Sequence, residues 1–114
     1  MSASFRAVKE QWHEGMDEFV DQGTLIQILE YVGEQVEGYT QSTEYADLMV
    51  FWIDEGHEFI KYIQSSKFNS YALSNALEIE DTPDLVHLIV AMQENTRAME
   101  QALDEDGSLR FYLD

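Results

Sequence analysis

Cysteine is absent from this sequence, which excludes disulfides, thiolate nucleophiles and the thiolate class of zinc site. Basic residues are nearly as scarce: 6 Lys and Arg stand against 23 Asp and Glu, a formal net charge of −17 in 114 residues. Binding to nucleic acid needs a basic footprint that displaces counterions from phosphate, so no direct nucleic-acid contact is expected. An anionic membrane surface is disfavoured on the same ground. No apolar run of about 18 residues exists to span a bilayer, and residues 1–9 lack the basic-then-apolar order of a secretory signal. The expected location is therefore the cytoplasm, that of the host cell if the protein is viral. Gly-rich phosphate loops and Ser/His/Asp signatures are missing too, and the chain reads as a non-enzyme without cofactor.

What is present is a core vocabulary. A hydrophobic content of 45% with 12% aromatics predicts a folded chain, and the length suits one domain over residues 1–114. Helical spacing recurs along it. Phe5, Val8, Trp12, Met16, Phe19 and Val20 step by threes and fours over residues 4–21. Thr24 is placed to cap a helix over 25–37, with Leu25, Ile28, Leu29, Val32 and Val36 inward and Glu30, Glu34 and Glu37 outward. The longest periodic stretch, residues 42–66, stacks Tyr45, Leu48, Met49, Trp52, Phe59, Ile60 and Ile63 on one side. It predicts a central helix about 37 Å long, with Asp47, Asp54, Glu55 and Glu58 forming an acidic ridge and Gly56 marking a bend, a close contact or a break.

A short helix over 71–77 follows. Thr82-Pro83-Asp84 combines an N-cap, a proline at the first helical position and a first-turn carboxylate, opening a helix that runs to Gly107 with Leu85, Leu88, Ile89, Met92, Met99 and Leu103 buried. The apolar tail 108–114, with Leu109, Phe111, Tyr112 and Leu113, is expected to dock. The fold class predicted is all-α, a compact bundle of four to five helices with a long central helix and an acidic surface.

The carboxylates are spread over every predicted helix at intervals of three and four, where like charges repel by a few tenths of a kcal/mol per pair. Duplex DNA carries one charge per roughly 1.7 Å of axis, so 23 carboxylates at that density cover about 39 Å. This spacing suggests a DNA mimic that occupies the DNA site of a basic DNA-binding protein or nuclease complex. Candidate phosphate-mimicking residues are Asp47, Asp54, Glu55, Glu58, Asp81, Asp84, Glu30, Glu34 and Glu37.

Tyr45-Ala46-Asp47-Leu48 with Glu55-Gly56, and Asp81-Thr82-Pro83-Asp84-Leu85-Val86, resemble segments of the phage Ocr-type antirestriction proteins. The resemblance implies a homodimer whose carboxylates imitate the phosphates of bent duplex DNA in restriction-modification enzymes, with that role falling on Asp47, Glu55, Asp81 and Asp84. A CRISPR effector would meet the same electrostatic requirement. The chain departs from the family in its apolar 109–114 end and in a longer 39–44 connection.

Two other readings compete. An immunity protein neutralising a basic nuclease toxin would need a compact acidic cluster. A metal-binding helical bundle would use the carboxylate-x-x-His pairs Glu10/His13, Asp54/His57 and Asp84/His87, of which only the first has the Glu-x-x-His composition of di-iron bundles. Surface pairing explains these more simply, and no metal is assigned. Trp12, Phe19, Trp52 and Phe59 are expected in the core, and Tyr31, Tyr39, Tyr62 and Tyr112 are candidate interface residues. Phe51 and Ile53, on the outer side of the predicted central helix, would mark a self-association surface.

Overall fold

A computed structural model describes residues 20–45 and 48–113. Among them five helices and three strands follow in the order α1 (Gln22–Gln35), β1 (Thr40–Tyr45), β2 (Leu48–Ile53), α2 (Gly56–Gln64), α3 (Ser70–Leu77), α4 (Pro83–Glu94), α5 (Thr96–Ala102) and β3 (Leu109–Leu113). The strands form one antiparallel sheet, ordered β1-β2-β3. The fold is mixed α and β, which overturns the all-α bundle.

The error lies in residues 42–66, where no long central helix exists: β1, β2 and α2 replace it. Leu48 to Ile53 is an unbroken apolar run, and such a run fits a helical stripe and a strand equally well. Val50, Phe51, Trp52 and Ile53 are β-branched or aromatic and pack well on a pleated surface. In the sheet, Phe51 and Ile53 are fully buried, so they do not mark an exposed self-association surface. Val50 and Trp52 alternate onto the opposite face, and Trp52 is only half-buried there.

The helices cover the inner face. Leu25, Ile28, Leu29 and Val32 of α1 are buried as the periodicity predicts, with Phe59, Ile60 and Ile63 of α2 and Leu85, Leu88, Ile89 and Met92 of α4. Phe51, Phe59 and Phe111 meet at the centre with ring centroids 5.7–6.3 Å apart. Thr82 caps α4 as expected, its hydroxyl accepting from the Leu85 N–H. The helix does not run on to Gly107. At Asn95 the side chain donates to the Ala91 carbonyl (2.7 Å), and the Thr96 hydroxyl donates to Gln93 (3.1 Å). Side chains competing for backbone carbonyls end α4 and begin α5 there. The apolar tail docks as β3, with Leu109 and Phe111 inward.

Gly56 is a close contact at the strand-to-helix junction. Its N–H donates to the Gly107 carbonyl (2.9 Å), and a Cβ at this position would collide with Leu103 Cδ2 and lie 2.6 Å from the Gly107 oxygen. Gly56→Ala is therefore expected to destabilise the fold by about 2 kcal/mol, read as a fall in the urea midpoint with an unchanged slope.

Candidate acidic interface

α1 ends in a Schellman arrangement. The Gly38 N–H donates to the Gly33 carbonyl (3.0 Å) and the Glu37 N–H to that of Glu34 (3.1 Å), which places Glu37 in the left-handed region at φ 55°. α3 ends similarly: the Ile79 N–H reaches back to Ser74 (3.2 Å), and Glu78 takes φ 54°. Glycine is the usual occupant of such a position because a Cβ there meets the backbone. A carboxylate also faces the negative end of the helix dipole. Both helices thus terminate on a residue that is locally unfavourable twice over. Glu78 was not among the sequence candidates; the absence of Gly or Asn after Leu77 was the signal that could have found it.

The other candidates gather unevenly. Glu30 and Glu34 line a groove with Gln27 and Tyr31 beside Ala76 and Leu77, so α1's acidic side abuts the end of α3 that leads into Glu78, Glu80 and Asp81. Glu30 also accepts from the Ser42 hydroxyl at 3.4 Å. Glu37 and Glu58 share a second groove with Lys61 and Lys67. The Lys61–Glu58 pair is 3.9 Å apart and exposed, where ion pairs contribute little.

Glu55 is exposed at the start of α2 and makes no side-chain cap. Asp84 is exposed in the first turn of α4, and Asp81 is exposed just before its cap. Asp54 has a structural task, its Oδ1 accepting from the Tyr39 N–H at 2.7 Å. That bond ties the start of β1 to the end of β2. Asp47 lies outside the described residues. The carboxylates therefore follow the surface from the α3–α4 connection across α1 to α2, and not a single helical ridge.

The rival metal constellation is not assembled by the described residues, which contain no group of three His, Asp or Glu side chains placed to share an ion. His57 is exposed beside the Gly107 turn while Asp54 is held by Tyr39, and Asp84 and His87 are both on the surface. Glu10 and His13, like Trp12 and Phe19, lie outside the described residues. Of the other aromatics, Phe59 is core, Trp52 is on the outer sheet face and Tyr39 is 64% exposed. Tyr31 and Tyr62 interact with each other; burial, then the Tyr31 hydrogen bond, pushes the Tyr62 hydroxyl up to about 12.

Two carboxyls are held below their ordinary range. Asp21 accepts from the Thr24 N–H (2.7 Å) and then its hydroxyl, capping α1. Asp106 accepts from the Ser108 hydroxyl (2.7 Å) and N–H (3.0 Å) in the turn before β3. Because both are depressed in the fold, their stabilisation is present above the unfolded value near about 3.9 and is lost as pH falls through the folded values. Self-repulsion among the carboxylates acts in the opposite sense and weakens on acidification and with salt. Tm in dilute buffer is expected to rise from pH 8 towards pH ~5, fall below pH ~4, and at pH 7 increase with added NaCl. Thermal scans over pH and salt check this; a Tm indifferent to salt at pH 7 would refute it.

Among the described residues no helix is long and apolar enough to cross a membrane. The architecture defines a small mixed α and β domain in which helices cover one face of a three-stranded antiparallel sheet. No protein family, curated protein or solved structure matches the chain.

Proposed function

We propose that the protein is a non-enzymatic DNA mimic that occupies the DNA-binding site of a host-defence or DNA-processing protein, in the manner of antirestriction or anti-CRISPR inhibitors. The observation that carries this reading is the placement of Glu37 and Glu78. A fold that needed only to be stable would carry glycine or asparagine at those two helix ends. Keeping a carboxylate at both, in a chain of net charge −17, is accounted for if charge at those points is what a partner reads. The longest dimension, 36 Å, corresponds to a duplex bearing about 21 phosphates, against 17 carboxylates on the described residues. Their spread over several elements suits a groove built for duplex DNA better than the compact patch of an immunity protein.

The test is capture of proteins from a bacterial lysate on the immobilised chain, followed by elution with duplex DNA at fixed salt. DNA-handling proteins released by the duplex are the expected outcome. Capture indifferent to DNA would overturn the proposal.

A further inference from the structure

The hydrogen-bonding direction alternates along β1. The Asp54 N–H donates to the Tyr39 carbonyl (3.2 Å), which makes these two a hydrogen-bonded pair and, two residues on, Gln41 with Trp52 and then Thr43 with Val50. Thr40, Ser42 and Glu44 fall between them, so their N–H and C=O groups point away from β2. β1 is an edge of the sheet, and residues 41–44 are exposed. Among the described residues no backbone group bonds Thr40, Ser42 or Glu44 from that side.

Edge strands are ordinarily blunted by proline, lysine, a bulge or a short length, because unpaired N–H and C=O groups template another strand. β1 has six residues, Thr-Gln-Ser-Thr-Glu-Tyr, with neither proline nor lysine, and its pairing with β2 skips no residue. It is a regular template.

The side chains beside this edge define what fits it. Thr40, Ser42 and Glu44 stand opposite Ile53, Phe51 and Met49, on the face that the helices cover. On that face Glu30 Oε1 lies 3.4 Å from the Ser42 hydroxyl. The alternate residues, Gln41 and Thr43, are uncharged. A strand added antiparallel sets a residue opposite Ser42 with its Cα about 5.5 Å away. A lysine or arginine there reaches Glu30, and the next residue on the same face reaches Glu44. A second copy fits poorly. Pairing through all three outward residues sets Ser42 against its own counterpart and brings both Glu30 carboxylates to one side of the two-fold axis, in chains that each carry −17.

We propose that β1 is a strand-addition site. Its Thr40/Ser42/Glu44 edge takes an extended segment of a basic partner protein, with Lys or Arg at alternate positions facing Glu30 and Glu44 and uncharged residues between them. Backbone pairing supplies the affinity, and the two carboxylates select the sign and register. This contact goes beyond the proposed DNA-like surface, since it reads a peptide backbone.

The probe is the capped peptide Thr-Lys-Val-Lys-Val-Lys-Thr, added at fixed physiological salt to isotope-labelled protein whose amide exchange is followed by NMR. In the protein alone, the Gln41 and Thr43 amides are expected to exchange slowly and those of Ser42 and Glu44 fast. At saturating peptide the Ser42 and Glu44 amides are expected to slow by about tenfold or more. Ser42→Pro removes one outward N–H while leaving the net charge and the β2 ladder intact, and is expected to weaken binding by about tenfold or more. Should that variant not fold, the wild-type protein with the same peptide N-methylated at its lysine amides decides: binding is expected to be lost, although the charge is unchanged. Equal affinity for the methylated peptide means that charge alone holds it and overturns the proposal. Absence of binding, or binding that leaves Ser42 and Glu44 exchange unchanged, overturns it as well. So does protection of these amides without peptide that grows with protein concentration, which makes a second copy the occupant. None of these outcomes depends on whether the acidic surface binds a DNA-handling protein.

Discussion

Phe111→Ala is expected to lower the unfolding free energy by about 3–5 kcal/mol. The ring is buried between Phe51, at a centroid distance of 6.0 Å, and Phe59, at 5.7 Å. Truncation removes its transfer free energy and leaves a cavity that the sheet and α2 cannot close without moving β2. A domain of this size has only about 5–15 kcal/mol in total, so the variant approaches the limit of folding at 37 °C. One residue away, Arg110 is exposed and pairs with Asp104 at 3.9 Å; Arg110→Ala is expected to change stability by less than about 1 kcal/mol. Urea unfolding of the two variants tests the alternation directly. Equal effects would mean that β3 does not pair with β2 in this register.

Combined replacement of Glu30→Gln, Glu34→Gln, Glu37→Gly and Glu58→Gln is expected to weaken partner capture by about 100-fold or more while raising Tm. The loss follows because long-range fields sum over charges and desolvated pairs at a complementary surface are each worth a kcal/mol or so. The gain has local causes. Glycine at position 37 removes a left-handed penalty of about 1 kcal/mol and an unfavourable charge at the helix end worth about 0.3–1 kcal/mol. Neutralising Glu30 and Glu34 removes like-charge pairs on α1. For a domain of this length a net gain of 1 kcal/mol raises Tm by about 4–8 °C. Asp54 is left untouched because its carboxylate holds the Tyr39 N–H. Fluorescence thermal scans and competition binding against duplex DNA read both effects. Capture that survives the four changes would remove this surface from the mechanism; a lowered Tm would mean that the carboxylates are structural.

Much of the helical framework was legible locally. The Thr82-Pro83 start of α4, the inner stripe of α1 and the short α3 depend on caps and on spacing within one or two turns, and the structure retains them with small shifts of boundary. The break at Asn95 was also written in local chemistry, in two adjacent side chains able to take backbone carbonyls, but the apolar period continues across it and masks it. Acidic candidates were found because charge is visible without a fold. Their grouping was not, since Glu37 and Glu58 meet only after α1 and α2 pack.

The sequence by itself determined the charge, the absence of thiol chemistry, the Thr82 cap and the apolar content, because these are properties of single residues or of neighbours within one helical turn; the cap expected at Thr24 is instead Asp21, which accepts from the Thr24 N–H. Only the tertiary structure decided that residues 40–45 and 48–53 form strands. Leu48 to Ile53 satisfies helical and extended periods alike, and what selects the strand is pairing with β1 and with β3, whose Leu109 and Phe111 stand more than fifty residues away in sequence. That distant partner buries Phe51 and Ile53, and local periodicity carries no information about it.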